Sequence, residues 1–196
     1  MAEFRAVQTR DGIGGQKRLC VEDVRGWQLW QVGCGPGGET ALARQLVSAG
    51  AGELPSTGAP VSVRADMRLY ALAPRTWWWL APDDAPIGVF AAGLDPAVVS
   101  LTPLSAARVR IALAGPDASA LLQKGIAIDL HPRVFPVGRA VFTALDHVGV
   151  MLERTAEDRW ELFVPTTWSV SVREWLADAA RPFLQAQVPE RTGPAP

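Results

Sequence analysis

The string Gly33-Cys34-Gly35-Pro36-Gly37-Gly38 satisfies the pattern G-x-G-x-x-G between a strand-like run, Trp27 to Val32, and a helix-like run, Glu39 to Ala49. In a dinucleotide-binding unit such glycines let the backbone close on a pyrophosphate at a helix N-terminus. That chemistry also requires a second buried strand that ends, about 20 residues on, in an acidic residue for the ribose. The chain there reads Ser48-Ala49-Gly50-Ala51-Gly52-Glu53-Leu54-Pro55, which contains no such strand. The competing reading is a plain strand-to-helix corner. Asp129 and His131 form a second pairing, since residues two apart in an extended segment project to one side. With Ser105 they could be drawn as a nucleophile, base and acid. No G-x-S-x-G elbow presents Ser105, however, and a histidine and carboxylate that fix a loop are the commoner arrangement. Asp146-His147 reads as a turn between strands. Cys20, Cys34, His131 and His147 lack the close paired spacing of a zinc site.

The elements that must position these residues form an approximate internal repeat. Trp27 to Val32 leads through Gly35-Pro36 into a helix that stops at Gly50. The order then returns. Val109, Ile111 and Leu113 alternate with Arg108, Arg110 and Ala112, the signature of a strand with one wet face. Gly115-Pro116, Asp117 in the first turn and a short helix to Gly125 follow. Strands come after each helix. In the first half, one strand alternates from Val61 to Leu69 and another covers Thr76 to Leu80; in the second half the candidates are Arg139 to Leu145, Val148 to Glu153 and Arg159 to Val164. A final helix capped by Ser169 places Val172, Trp175, Leu176 and Ala179 on one stripe, which should cover the sheet. The expected fold is α+β: two similar β-α-β units, about 19–97 and 98–186, joined in one domain over 19–186 between loose ends at 1–18 and 187–196. Gly50 to Pro60 is a Gly/Pro-rich connector.

Among 196 residues, 48% hydrophobic, 19 basic side chains balance 20 acidic ones. That balance excludes a disordered tail and a strongly basic nucleic-acid binder. No run reaches the roughly 18 apolar residues of a membrane span, residues 1–17 build no export signal, and two cysteines suggest a reducing, cytoplasmic setting. Eight tryptophans stand out. On a strand, Trp78 faces opposite to Trp77 and Trp79, so one face needs a cover, either a helix of this chain or a partner's surface. A base-stacking platform needs interleaved cations, and only Arg75 flanks the cluster.

From Leu101 to Ala180 the chain resembles the gamma subunit of heterotetrameric sarcosine oxidase. The resemblance lies in Gly115-Pro116-Asp117-Ala118, Leu121-Leu122-Gln123-Lys124-Gly125, the loop Asp129-Leu130-His131-Pro132-Arg133-Val134-Phe135-Pro136-Val137-Gly138, Glu161-Leu162-Phe163-Val164 and Trp175-Leu176. Pro103 departs from the family, which carries an acidic residue in that strand start. The resemblance implies a duplicated fold similar to the folate-binding domain of the glycine-cleavage T-protein. It implies a non-catalytic subunit, without a cofactor of its own, in a complex that oxidatively demethylates sarcosine to glycine, yielding formaldehyde or methylenetetrahydrofolate and hydrogen peroxide. FAD, FMN, NAD and tetrahydrofolate then belong to partner subunits, and alpha, beta and delta chains are the partners. Gly115, Pro116 and Gly125 would set helix ends. Asp129, His131, Pro132, Phe135, Pro136 and Gly138 would shape a loop that meets the partner, with Phe135 presented between prolines, and Trp78 is a further contact candidate. The alternative is a free-standing folate-binding or one-carbon-transfer protein of the T-protein type.

Overall fold

In chain order the elements are β1 (Val7–Gln8), β2 (Cys20–Asp23), β3 (Trp27–Cys34), α1 (Glu39–Ser48), β4 (Ser62–Arg64), β5 (Met67–Ala73), β6 (Thr76–Pro82), α2 (Ile87–Ala92), β7 (Val99–Pro103), β8 (Arg108–Ala114), α3 (Ala118–Leu122), β9 (Ala140–Leu145), β10 (Val148–Ala156), β11 (Arg159–Pro165) and α4 (Ser169–Gln185). This computed structural model describes residues 7–8, 18–48, 53–64 and 66–185; the remainder of the expected loose ends, 1–18 and 187–196, lies outside the described residues.

The strands form two antiparallel sheets, ordered β4-β5-β6-β3-β7 and β1-β2-β8-β11-β10-β9. The two sheets repeat one topology apart from β1, which has no counterpart among the described residues. β3, α1, β4, β5, β6 and α2 correspond in order to β8, α3, β9, β10, β11 and α4. The strand that precedes each unit is traded: β2 pairs with β8 of the second unit, and β7 pairs with β3 of the first. Each unit therefore closes its sheet with a strand from the other side of the sequence, so the units are not contiguous stretches. The single strand expected over Val61 to Leu69 is instead a hairpin, with Ser62 opposite Leu69 and Arg64 opposite Met67. This gives the first unit the same three strands after its helix as the second.

The layers run helix, sheet, sheet, helix. On one outer face, Leu42 and Leu46 of α1 and Ile87 of α2 pack with Val32, Leu69, Trp77 and Trp79. On the other, Val172, Leu176 and Ala180 of α4 pack with Leu121 and Leu122 of α3 over Ile111, Leu113, Leu152 and Leu162. The α4 stripe thus covers the sheet as its spacing predicts, each buried leucine contributing about 2 kcal/mol. Ser169 does not cap α4, because Thr166–Trp168 already form a tight helical turn ahead of it. Between the sheets lie Leu29, Tyr70, Trp78, Leu80, Met151 and Phe163. Strand pleating thus sends Trp77 and Trp79 outward beneath α1 and α2 and Trp78 inward. Trp78 is 2% exposed, so its cover comes from this chain and it is not a surface contact. The face of β8 read as wet is inward too: Arg108 lies 5.3 Å from the Trp78 ring centre and Arg110 lies 5.9 Å from that of Phe163.

Candidate functional site

The glycine-rich corner is built for packing. Gly35 N–H donates to Val98 O and Gly38 N–H to Gly35 O, both at 3.0 Å, and Cys34 N–H donates to Arg75 O at 3.1 Å. The N–H groups that would grip a pyrophosphate at Gly35 and Gly38 are thus already bonded to protein carbonyls, and the strands around them are antiparallel. The residues do not fit a dinucleotide. In the second unit Ala118 N–H donates to Gly115 O at 3.0 Å, repeating the turn. The two copies differ at the third position, where Gly37 has φ +79 and Asp117 has φ −89. A type II turn requires glycine there and a type I turn does not, which accounts for the extra glycine of the first copy. At Gly38 a Cβ would approach Val98 Cγ1 to 2.8 Å, a packing reason for the last glycine of the pattern. Asp117 holds Arg18, whose Nε donates to Oδ2 at 2.8 Å.

The loop 129–138 is folded on itself. Asp129 Oδ1 accepts the His131 N–H at 2.8 Å, and His131 O accepts the N–H of both Val134 and Phe135. His131, Pro132 and Pro136 are exposed while Phe135 is buried. The Phe135 ring packs 5.3 Å from that of Trp160, and Phe135 O accepts from Arg154 Nη1 at 2.9 Å. Phe135 is therefore a core residue that pins the loop, contrary to the expectation that the prolines present it outward. Gly138, at φ +84, ties the loop to both units, donating to Arg154 O and accepting from Val61 N–H at 2.8 Å each. α3 ends at Leu122 with Gln123 as its C-cap, so Gly125 does not set the helix end; it lies in the turn beyond, beneath Trp175, whose indole occupies the space a Cβ would need.

Ser105 is not gathered with this loop. Its Oγ accepts the Leu29 N–H at 2.9 Å, fastening the Ser105–Ala107 turn to β3. Asp146 and His147 form the β9–β10 hairpin turn, with Asp146 at φ 55 and the imidazole edge-on to Trp168. Among the described residues no group of three or more potential metal ligands is brought together.

What the structure does assemble is an ionic cluster between the sheets. Glu153 of β10 and Glu161 of β11 stand directly opposite one another, an arrangement that is unfavourable without a cation. Arg68 of β5 supplies it from the other sheet, its Nη1 donating to Glu153 Oε2 at 2.9 Å and to Glu161 Oε2 at 2.8 Å. Tyr70 OH donates to Glu153 Oε2 at 2.8 Å, and Arg110 Nε donates to Glu161 Oε2 at 2.8 Å. Both carboxylates are buried. Burial works against the charge on Arg68, but Glu153, Tyr70 and Glu161 outweigh it and hold its pKa above the ordinary arginine value. Burial, then the Glu153 charge, pushes the Tyr70 phenol well above its usual range. Burial also raises the Glu153 carboxyl, with Arg68 and the Tyr70 hydroxyl pulling the other way. These pKa directions and the closed geometry describe a lock between the units. The only trace of it in the sequence is that Arg68, Glu153 and Glu161 fall on the same strand faces as Tyr70, Met151 and Phe163.

A glutamate whose folded pKa is raised binds more protons folded than unfolded, so its contribution to stability falls as pH rises from the unfolded value through the folded one. The unfolding free energy of the wild type minus that of Glu153→Gln is therefore expected to decrease from about pH 4.5 toward neutrality. Denaturation of both proteins across that range checks it; a flat or rising difference refutes it.

A family model described as sarcosine oxidase, gamma subunit family, matches residues 35–182. The gamma subunit of sarcosine oxidase from Corynebacterium sp. (strain U-96) is 34% identical over 122 residues, covering 56% of this chain and 58% of that protein. The gamma subunit from Corynebacterium sp. (strain P-1) is 32% identical over 157 residues, covering 79% and 75%. The alignment thus spans less than two thirds of the first of these relatives and three quarters of the second. A chain of the heterotetrameric sarcosine oxidase from Corynebacterium sp. U-96, solved in complex with pyrrole 2-carboxylate, superposes with a TM-score of 0.77 at 29% identity, covering 87% of each chain. The glycine cleavage system aminomethyltransferase T from Bartonella henselae shares the fold alone, with a TM-score of 0.60 at 18% identity over 88% of this chain and 47% of that one. With three quarters of its length matched by the family model and its duplicated sandwich shared with a solved member of the complex, this chain belongs to the sarcosine oxidase gamma subunit family.

Proposed function

We propose that this chain is the gamma subunit of a heterotetrameric sarcosine-oxidase-type flavoenzyme, acting in assembly and not in the chemistry. The observation that carries the reading is the match of 35–182 to the gamma family. On this reading the complex demethylates sarcosine to glycine, with formaldehyde or methylenetetrahydrofolate and hydrogen peroxide as products, and alpha, beta and delta chains are its sister subunits. FAD, FMN, NAD and tetrahydrofolate reside in those chains. The glycine-rich corner of this chain supports that division, because its Gly35 and Gly38 N–H groups are committed to protein carbonyls. Among the described residues no helix is long and apolar enough to cross a membrane, and a cytoplasmic location accords with a sequence that holds two cysteines. The domain proposed over 19–186 works as one body, since the traded strands β2 and β7 and the ionic lock tie its halves together.

The test is co-expression with the alpha, beta and delta chains. Stoichiometric co-purification, sarcosine-dependent peroxide production and collapse of the complex when this chain is omitted are expected. Full assembly and turnover without it, or submicromolar tetrahydrofolate binding by the isolated chain, would overturn the assignment.

A further inference from the structure

The two outer faces of the duplicated sandwich are covered unequally. After β11 the chain forms α4, 17 residues long, which seals its sheet with Val172, Leu176 and Ala180 and packs Trp175, Ala179 and Phe183 alongside. After β6, the corresponding strand, it forms α2, only six residues long, with Ile87 as its one buried side chain. Where the longer helix would lie there is a furrow of about 500 Å³ between α1 and α2, walled by Met67, Trp79, Ile87, Phe90 and Leu94. Val89 of α2, on the lining, is apolar and 77% exposed. α2, Ile87-Gly88-Val89-Phe90-Ala91-Ala92, bears no charge. A continuous apolar furrow of this kind marks an interaction site more often than a bare surface.

A second observation concerns the charge on the wall. Among the described residues Arg44 is the sole charged side chain on the lining.

Building on the subunit assignment above, we propose that this furrow seats an apolar helical segment of a sister subunit, in the place that α4 occupies on the opposite face. The internal repeat supplies the shape of the occupant, a helix laying a Leu- or Phe-rich stripe on the outer face of the sheet. Arg44 favours an acidic residue beside the stripe. A second copy of this chain fits less well, because a twofold contact would bring Arg44 of both copies to the same rim.

The experiment titrates this chain against the other subunits of its complex. Val89→Arg and Ser48→Arg, both at exposed positions on the lining, are each expected to weaken assembly about tenfold or more while leaving the melting temperature of the isolated chain unchanged. Val170→Arg, at a 65% exposed position on α4, should assemble like the wild type. Wild-type assembly by both furrow variants overturns the proposal and leaves the subunit assignment standing. So does a dimer of the isolated chain that Val89→Arg abolishes. A wild-type chain that meets none of the sister subunits fells the assignment and the furrow proposal together.

Discussion

Phe135→Ala is expected to cost the isolated chain about 3–5 kcal/mol of unfolding free energy, the range for truncating a fully buried phenylalanine. Phe135 is 1% exposed. Its ring packs on Trp160, and the Arg139 guanidinium lies 5.5 Å from the ring centre. The surrounding walls are strands of a hydrogen-bonded sheet and resist collapse into the vacated space, so the cavity persists. The loop would suffer too, because its hydrogen bonds to His131 O and from Arg154 hold only while the ring anchors the turn. In a domain of this size the loss corresponds to a fall in melting temperature of about 10 °C. Chemical denaturation of the purified variant measures it. A loss under about 1 kcal/mol, with assembly alone impaired, would restore the docking role for Phe135 that its position between prolines suggests.

That residue illustrates where local pattern stops. Proline on either side of an aromatic residue looks like an exposed turn, and the bonds that bury Phe135 run to Arg154 of β10 and the ring of Trp160 on β11, which no short window contains. The stripe of α4, the Gly-Pro corners, the three strands after α3 and the turn at Asp146-His147 were legible because each depends on neighbours within a few positions. The exchange of β2 and β7 was not, since hydrogen bonding to β8 and β3 is a choice between distant partners that strand periodicity does not encode. Alternation likewise separates two faces of a strand without saying which is wet. Arg108 and Arg110 look solvated in sequence, yet they face the opposing sheet because this sandwich places charge in its central layer. The family's characteristic loop was readable as a string, but its architectural role, clasping Val61 through Gly138 O, emerged only from the fold.

The central layer also yields the second large expected effect. Arg68→Met keeps the aliphatic stem and removes the one cation shared by Glu153 and Glu161. Arg110 still serves Glu161, but Glu153 is left with the Tyr70 hydroxyl and a second carboxylate directly across the strand pair. Breaking a buried ion pair on one side costs about 3–5 kcal/mol, and with the Arg68 side chain 22% exposed the lower end, about 3 kcal/mol, is expected at neutral pH. The penalty comes from an uncompensated charge, and it can be relieved by a proton. Without Arg68 the folded-state pKa of Glu153 rises further above the ordinary value, so the variant gains stability relative to wild type as pH falls through that raised value. Urea denaturation of both proteins at neutral pH and near pH 5 decides the matter. A deficit that narrows on acidification identifies the cluster as an electrostatic lock between the two units. A deficit of the same size at both values would assign Arg68 to packing alone, and a neutral substitution would show that the sheets are held together by Trp78, Phe163 and their neighbours without it.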